Sequence, residues 1–229
     1  MEHEFARDEP ATRVALLERA LTVEKTAQSL PFSILFLHDT GADASWYAPV
    51  AALLAAKRAI GMQAARPLNP LASNSDRDHA HRGFRWWIDD PDGRPDPASF
   101  GDSLAQLTTR LEQLSVSDRW VLVGHGQGAS MALAIASVAG DLLDGVVASN
   151  GGWRAPDGWD PDLALSCPIL RLAPDVNSDD DLNFGPLVNW PTTSVHRSIE
   201  VDRDSPSRDA ALIRRWLTGL VENGSASTP

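Results

Sequence analysis

Residues 123–128 read Val-Gly-His-Gly-Gln-Gly and lie between an apolar run, Arg119 to Gly124, and a small-residue segment, Gly128 to Val138. A strand, a glycine-flanked turn and a helix form the corner written G-x-S-x-G. There a serine hydroxyl attacks a carbonyl carbon and backbone N–H groups take up the oxyanion charge. Gly124 and Gly128 meet the need for a sharp turn and a close approach of helix to strand. The middle position is Gly126, which carries no hydroxyl and can form no acyl-enzyme. A plain glycine-rich turn of an α/β protein accounts for the same residues. A dinucleotide-binding turn does not: the third glycine of G-x-G-x-x-G is missing, the motif comes late, and no well-placed acidic residue follows the next strand.

Other side chains with reactive chemistry are scattered. His125 adjoins the corner and either points to the site or packs beneath it. His79 and His81 stand on a long polar segment beside Arg82 and Arg85, where a solvated loop is the simpler reading, and His196 falls inside a strand-like run. Asp175, Asn177 and Asp179 match the first ligand positions of a calcium loop, but its sixth position is Asp180 instead of glycine and its twelfth is Pro186, which disfavours calcium. The single cysteine, Cys167, excludes an internal disulfide and a cysteine zinc cluster, and before Pro168 it reads as a buried structural thiol. No metal or cofactor is expected.

The elements that must position these residues alternate. A first strand is predicted near Leu21 to Lys25, a continuous apolar strand at Phe32 to His38, a helix at Trp46 to Ala56 and a strand at Ile60 to Ala65. Arg66 to Pro97, rich in Pro, Asn, Asp and Gly, reads as an excursion without regular structure. A helix from about Ala98 to Leu114 follows, then the strand and helix around the corner, strands at Gly145 to Ala148 and Pro168 to Leu172, and an edge strand at Ser194 to Val201. Ser205 and Pro206 open a last helix whose Ile213, Trp216, Leu217 and Leu220 share one face. The pattern predicts one α/β domain over residues 1–223, with a doubly wound, mostly parallel sheet, no large cap, and a frayed tail in NGSASTP, placed as disordered from 224 to 229. Ligands of such sheets bind beyond the carboxyl ends of the strands, just after Leu37, Val123, Ala148, Leu172 and Val201.

Several segments agree in order with one family. His38-Asp39-Thr40-Gly41-Ala42 with Trp46 resembles the H-G-x-G oxyanion segment of the carboxylesterase, phospholipase and acyl-thioesterase family of α/β-hydrolases. Arg82 to Trp87 resembles its Trp-Phe motif, Asp96 to Leu104 the approach to its next helix, GHGQG its G-x-S-Q-G elbow, and Ser149 to Gly152 its Ser-Gly segment. The resemblance spans roughly residues 30 to 220. It implies an α/β-hydrolase fold in which Thr40 and Gln127 supply the oxyanion amides, His38 and Asp39 lie beside the ligand, and Trp86 and Trp87 line an acyl or aromatic pocket. It also implies a triad in which two positions have changed. Gly126 stands at the nucleophile and Asp204 where the histidine belongs, while Asp179 or Asp180 is nearest in spacing to the third member, ahead of Asp175 and Asp181.

Composition narrows the functions. The 229 residues carry 20 Lys and Arg against 31 Asp and Glu, a net charge of -11 that disfavours nucleic acid and anionic membrane surfaces as partners. The charged start MEHEFARDEP and the lack of a membrane-length apolar run point to a cytoplasmic protein. The expected activity is that of a degenerate hydrolase that binds a small acyl, ester or aromatic compound, or transforms one by a cofactor-free cyclisation or lyase step. An ester or thioester hydrolase using water and an unusual base, with His125, Asp204 or one of Asp179 to Asp181 as that base, is the second expectation. A noncatalytic interaction protein is the third, and pairing of two copies as a homodimer is left open.

Overall fold

The computed structural model describes residues 17–21, 29–68, 83–116, 118–159, 167–173, 195–198 and 206–225. Among the described residues seven strands form one sheet: β1 (Leu17–Ala20), β2 (Ser33–Leu37), β3 (Arg58–Gln63), β6 (Trp120–His125), β7 (Leu143–Ser149), β8 (Ile169–Ala173) and β9 (Val195–Ser198). Their order is β1-β3-β2-β6-β7-β8-β9, with β1 antiparallel to β3 and every other pair parallel.

The sheet is covered on both sides, which is why β2 and β6 read as unbroken apolar runs and not as alternating ones. Side chains on a strand point to opposite faces in turn. Leu35, Leu37, Trp120 and Leu122 accordingly join a core with α2 (Pro97–Leu114) and α3 (Gln127–Ala139). Ile34, Phe36, Val121 and Val123 join another with α1 (Ala48–Leu54) and α4 (Pro206–Ser225). Almost all of α3 is buried, as its run of alanines permits, because small side chains let a helix lie close to the sheet and to a neighbouring helix. Proline at the first helical position of α2 follows Asp96, whose carboxylate accepts the Ser99 amide at 2.8 Å.

Most predicted boundaries shift by a residue or two, and three differences are larger or add an element. The first strand is Leu17–Ala20, ahead of the expected Leu21 to Lys25, because its pairing with β3 sets the register from Leu17↔Gln63 to Ala20↔Ile60. The excursion after Arg66 contains a short antiparallel pair, β4 (Arg66–Pro67) with β5 (Phe84–Arg85). The last helix runs on through Ser225, taking in the start of the segment expected to fray.

Candidate functional site at the β6–α3 corner

Register brings the candidate residues together. Leu37 pairs with Gly124, Gly124 with Ala148, and His125 with Ser149, so the residues after β2, β6 and β7 emerge side by side at the carboxyl edge. At the centre Gly126 has φ 52° and ψ -117°, a conformation costly for a residue with a side chain. Its N–H donates to Ser149 O at 3.0 Å. The neighbouring glycines are required as well: a Cβ on Gly124 would overlap the Gly128 backbone, and one on Gly128 the Leu37 backbone. The corner thus joins strand to helix through a glycine in a strained conformation, with no side chain at its apex.

Another side chain takes the empty place. A Cβ built on Gly126 would fall inside the Asp39 carboxylate. Asp39 Oδ1 accepts the Thr40 amide at 2.7 Å and the Gln127 amide at 2.9 Å, the two groups expected to receive an oxyanion. Both amides therefore converge on one oxygen of Asp39, and neither is open to a guest while Asp39 keeps this position. Asp39 Oδ2 lies 3.5 Å from His125 Nδ1, an ion-pair separation without hydrogen-bond geometry, and that buried nitrogen has no hydrogen-bond partner among the described residues. Burial pushes the Asp39 carboxyl up, but His125 and the Gln127 and Thr40 amides outweigh it and hold it below the ordinary carboxylate range.

Behind this pair is a buried polar group that the sequence reading did not single out. Ser149 Oγ donates to Asp209 Oδ2 at 2.8 Å, and burial raises the Asp209 carboxyl above its usual range against the opposing pull of Ser149 and His125. The His125 ring packs on Trp46, with centroids 4.7 Å apart. Burial also drives the Tyr47 phenol well up, with Asp209 and Asp39 adding to the effect. A signal for Asp209 existed: it lies one turn ahead of Ile213 on the apolar stripe of α4, an unusual place for an acid.

The other candidates separate into scaffold and residues outside the description. His38 is buried; its Nε2 accepts the Ala64 amide at 3.0 Å, and its Nδ1 lies 2.6 Å from Asp39 O. Desolvation pulls its pKa down, so it serves as a neutral brace. Trp86 and Trp87 are both fully buried, contrary to a pocket-lining position: Trp86 Nε1 donates to His38 O at 2.7 Å, and Trp87 Nε1 to Asp89 at 3.1 Å. The Gln127 side chain accepts the Trp86 amide at 2.9 Å, tying the double-tryptophan segment to the corner. Cys167 is buried and its thiol is pushed up to about 11 by desolvation, an inert structural cysteine. His196 lies in β9, where only its backbone is described, beside Arg171 in register. His79, His81, Arg82, Asp175, Asn177, Asp179, Asp180, Asp181 and Asp204 lie outside the described residues. Among the described residues no cluster of His, Cys, Asp and Glu is arranged to hold a metal ion.

A cleft of about 590 Å³ opens elsewhere along this edge, between residues 92–95 and 153–159, with Trp153, Trp159, Arg94 and Arg154 on its walls. Asp39, His125 and Gly126 do not line it.

Solved structures with the same architecture are numerous in kind. The chain superposes on a carboxylesterase from Mesorhizobium loti with a TM-score of 0.67 at 20% identity, covering 91% of this chain and 97% of that one. The chain has the α/β-hydrolase fold. A Bacillus cereus carboxylesterase matches this hydrolase fold with a TM-score of 0.60 at 13% identity, over 90% of this chain and 94% of that one. Acyl-protein thioesterase 2 of Zea mays matches with a TM-score of 0.60 at 15% identity, over 89% and 98%. No family model and no curated relative matches the sequence. Among the described residues, no helix of the hydrolase fold is long and apolar enough to cross a membrane.

Proposed function

We propose that this protein is a degenerate α/β-hydrolase that has given up acyl-serine chemistry and binds a small acyl, ester or aromatic compound in the cytoplasm. The observation that carries the reading is the Asp39 carboxylate lying where a side chain on residue 126 would stand. Ester hydrolysis by the serine route needs a hydroxyl at that point and two free amides beside it. Gly126 supplies no hydroxyl, and the amides of Thr40 and Gln127 are engaged. The carboxylesterases and thioesterases that share the fold support the acyl or ester class of ligand.

The test is turnover of p-nitrophenyl acetate and butyrate, with a carboxylesterase of the same fold as positive control. The unaltered protein is expected to show none above buffer, and so is Gly126→Ser with Asp204→His while Asp39 remains. Adding Asp39→Gly to that pair is expected to allow measurable turnover. Hydrolysis by the unaltered chain that disappears in His125→Ala would overturn the reading in favour of a water-attack mechanism. A rise in melting temperature with an aryl acyl compound, without turnover, is the expected sign of binding.

A further inference from the structure

The Gln127 amide opens α3, and a helix start favours an anion. Two further features converge on the same point here. The Thr40 amide comes from a different loop and aims at the same oxygen, Asp39 Oδ1. His125, its side chain 7% exposed, turns an unpartnered Nδ1 toward the other oxygen. These three nitrogens surround one carboxylate, and that carboxylate belongs to the same chain.

We infer that the Thr40 and Gln127 amides with His125 Nδ1 form a binding site for a small carboxylate, which the chain fills with its own Asp39. Asp39 is then the residue that decides what enters the corner. While its side chain is in place, a free carboxylate or an acyl oxygen has no donors to meet. Gly126 is the other half of the arrangement, since any side chain there would collide with the resident carboxylate. Where the resembling family has a glycine after the histidine and a serine in the elbow, this chain has Asp39 and Gly126, so the side chain stands on the other loop and brings a charge that a serine lacks. The inference rests on the amide geometry and not on the absence of ester turnover, so each can fail without the other.

The experiment uses the full chain with Asp39→Ala and titrates sodium formate, with sodium chloride at matched ionic strength as control. Melting temperature is followed together with the ¹H–¹⁵N signals of Thr40 and Gln127. The variant is expected to melt lower than the unaltered protein and to recover saturably with formate, half-saturating on the order of 10 mM. Chloride should restore less, and both amide signals should shift with the same midpoint. The unaltered chain should respond at least about tenfold more weakly, because its site is filled. Equal responses to formate and chloride in the variant, or an equal formate response in the unaltered chain, overturn the inference. If Asp39→Ala does not fold, Asp39→Ser is measured in the same way, and the same outcomes decide.

Discussion

Asp39 and Asp209 flank one imidazole but sit in opposite electrostatic situations. Asp39 is held ionised by donors; its carboxyl is depressed, so the stability it contributes is present above the ordinary aspartate value of about 3.9 and is lost as pH falls through its lower folded value. Asp209 is raised by burial, so its cost is felt at neutral pH and relieved as pH falls through its folded value. Asp39→Asn is therefore expected to lower stability at pH 7 by on the order of 1 kcal/mol, a figure kept small because the Asp39 side chain is 35% exposed. Asp209→Asn is expected to raise it by roughly 0.5–1 kcal/mol while keeping a partner for Ser149. Urea unfolding at pH 7 and again near pH 4 checks both: the Asp209 difference should shrink at the lower pH, whereas the Asp39 difference should persist there and shrink only as pH falls further. A drop in stability at pH 7 for Asp209→Asn would show that the Asp209 carboxylate contributes more to the fold than its burial costs.

The elements were mostly legible, since β2, β6 and α2 carry their signals locally. One is the Asp96-Pro97 start, and Asp96→Ala is expected to cost about 1 kcal/mol in urea unfolding, the usual value of a helix N-cap. The strand-to-helix corner at Gly126 was legible from its spacing, whereas the Thr40 and Gln127 amides were named only through a resemblance. What could not be read was the partner of those amides. Asp39 and Gln127 are 88 residues apart, and only the β2–β6 register places one against the other. Trp86 and Trp87 were misplaced for a related reason: two adjacent aromatics reveal apolar bulk, but not the His38 carbonyl and Asp89 carboxylate that satisfy them inside the core. The start of the first strand was decided by pairing with β3, a long-range effect with no local marker.

At the scale of the molecule, the two faces of the sheet are closed by different helices, and α4 seals the one beneath α1 with Ala210, Ile213 and Leu217. Leu217 is fully buried, so Leu217→Ala should cost roughly 2–4 kcal/mol by lost transfer energy and the cavity left behind. Val116, 87% exposed at the end of α2, gives the contrast: Val116→Ser should change stability by no more than about 0.5 kcal/mol. Denaturant midpoints measure both, and similar values for the two would mean that α4 is not part of the cooperative core. The α4 face also carries Asp209 to the corner, which makes the last helix both a wall of the core and a support of the site.

Gly126 has a practical consequence for how this protein is found in a cell extract. Organophosphonate reagents that profile serine hydrolases report by bonding phosphorus to an activated hydroxyl, and the turn that would present one has only a hydrogen. On the reading proposed above, such a survey passes over this chain however abundant it is, although the chain shares its fold with a carboxylesterase.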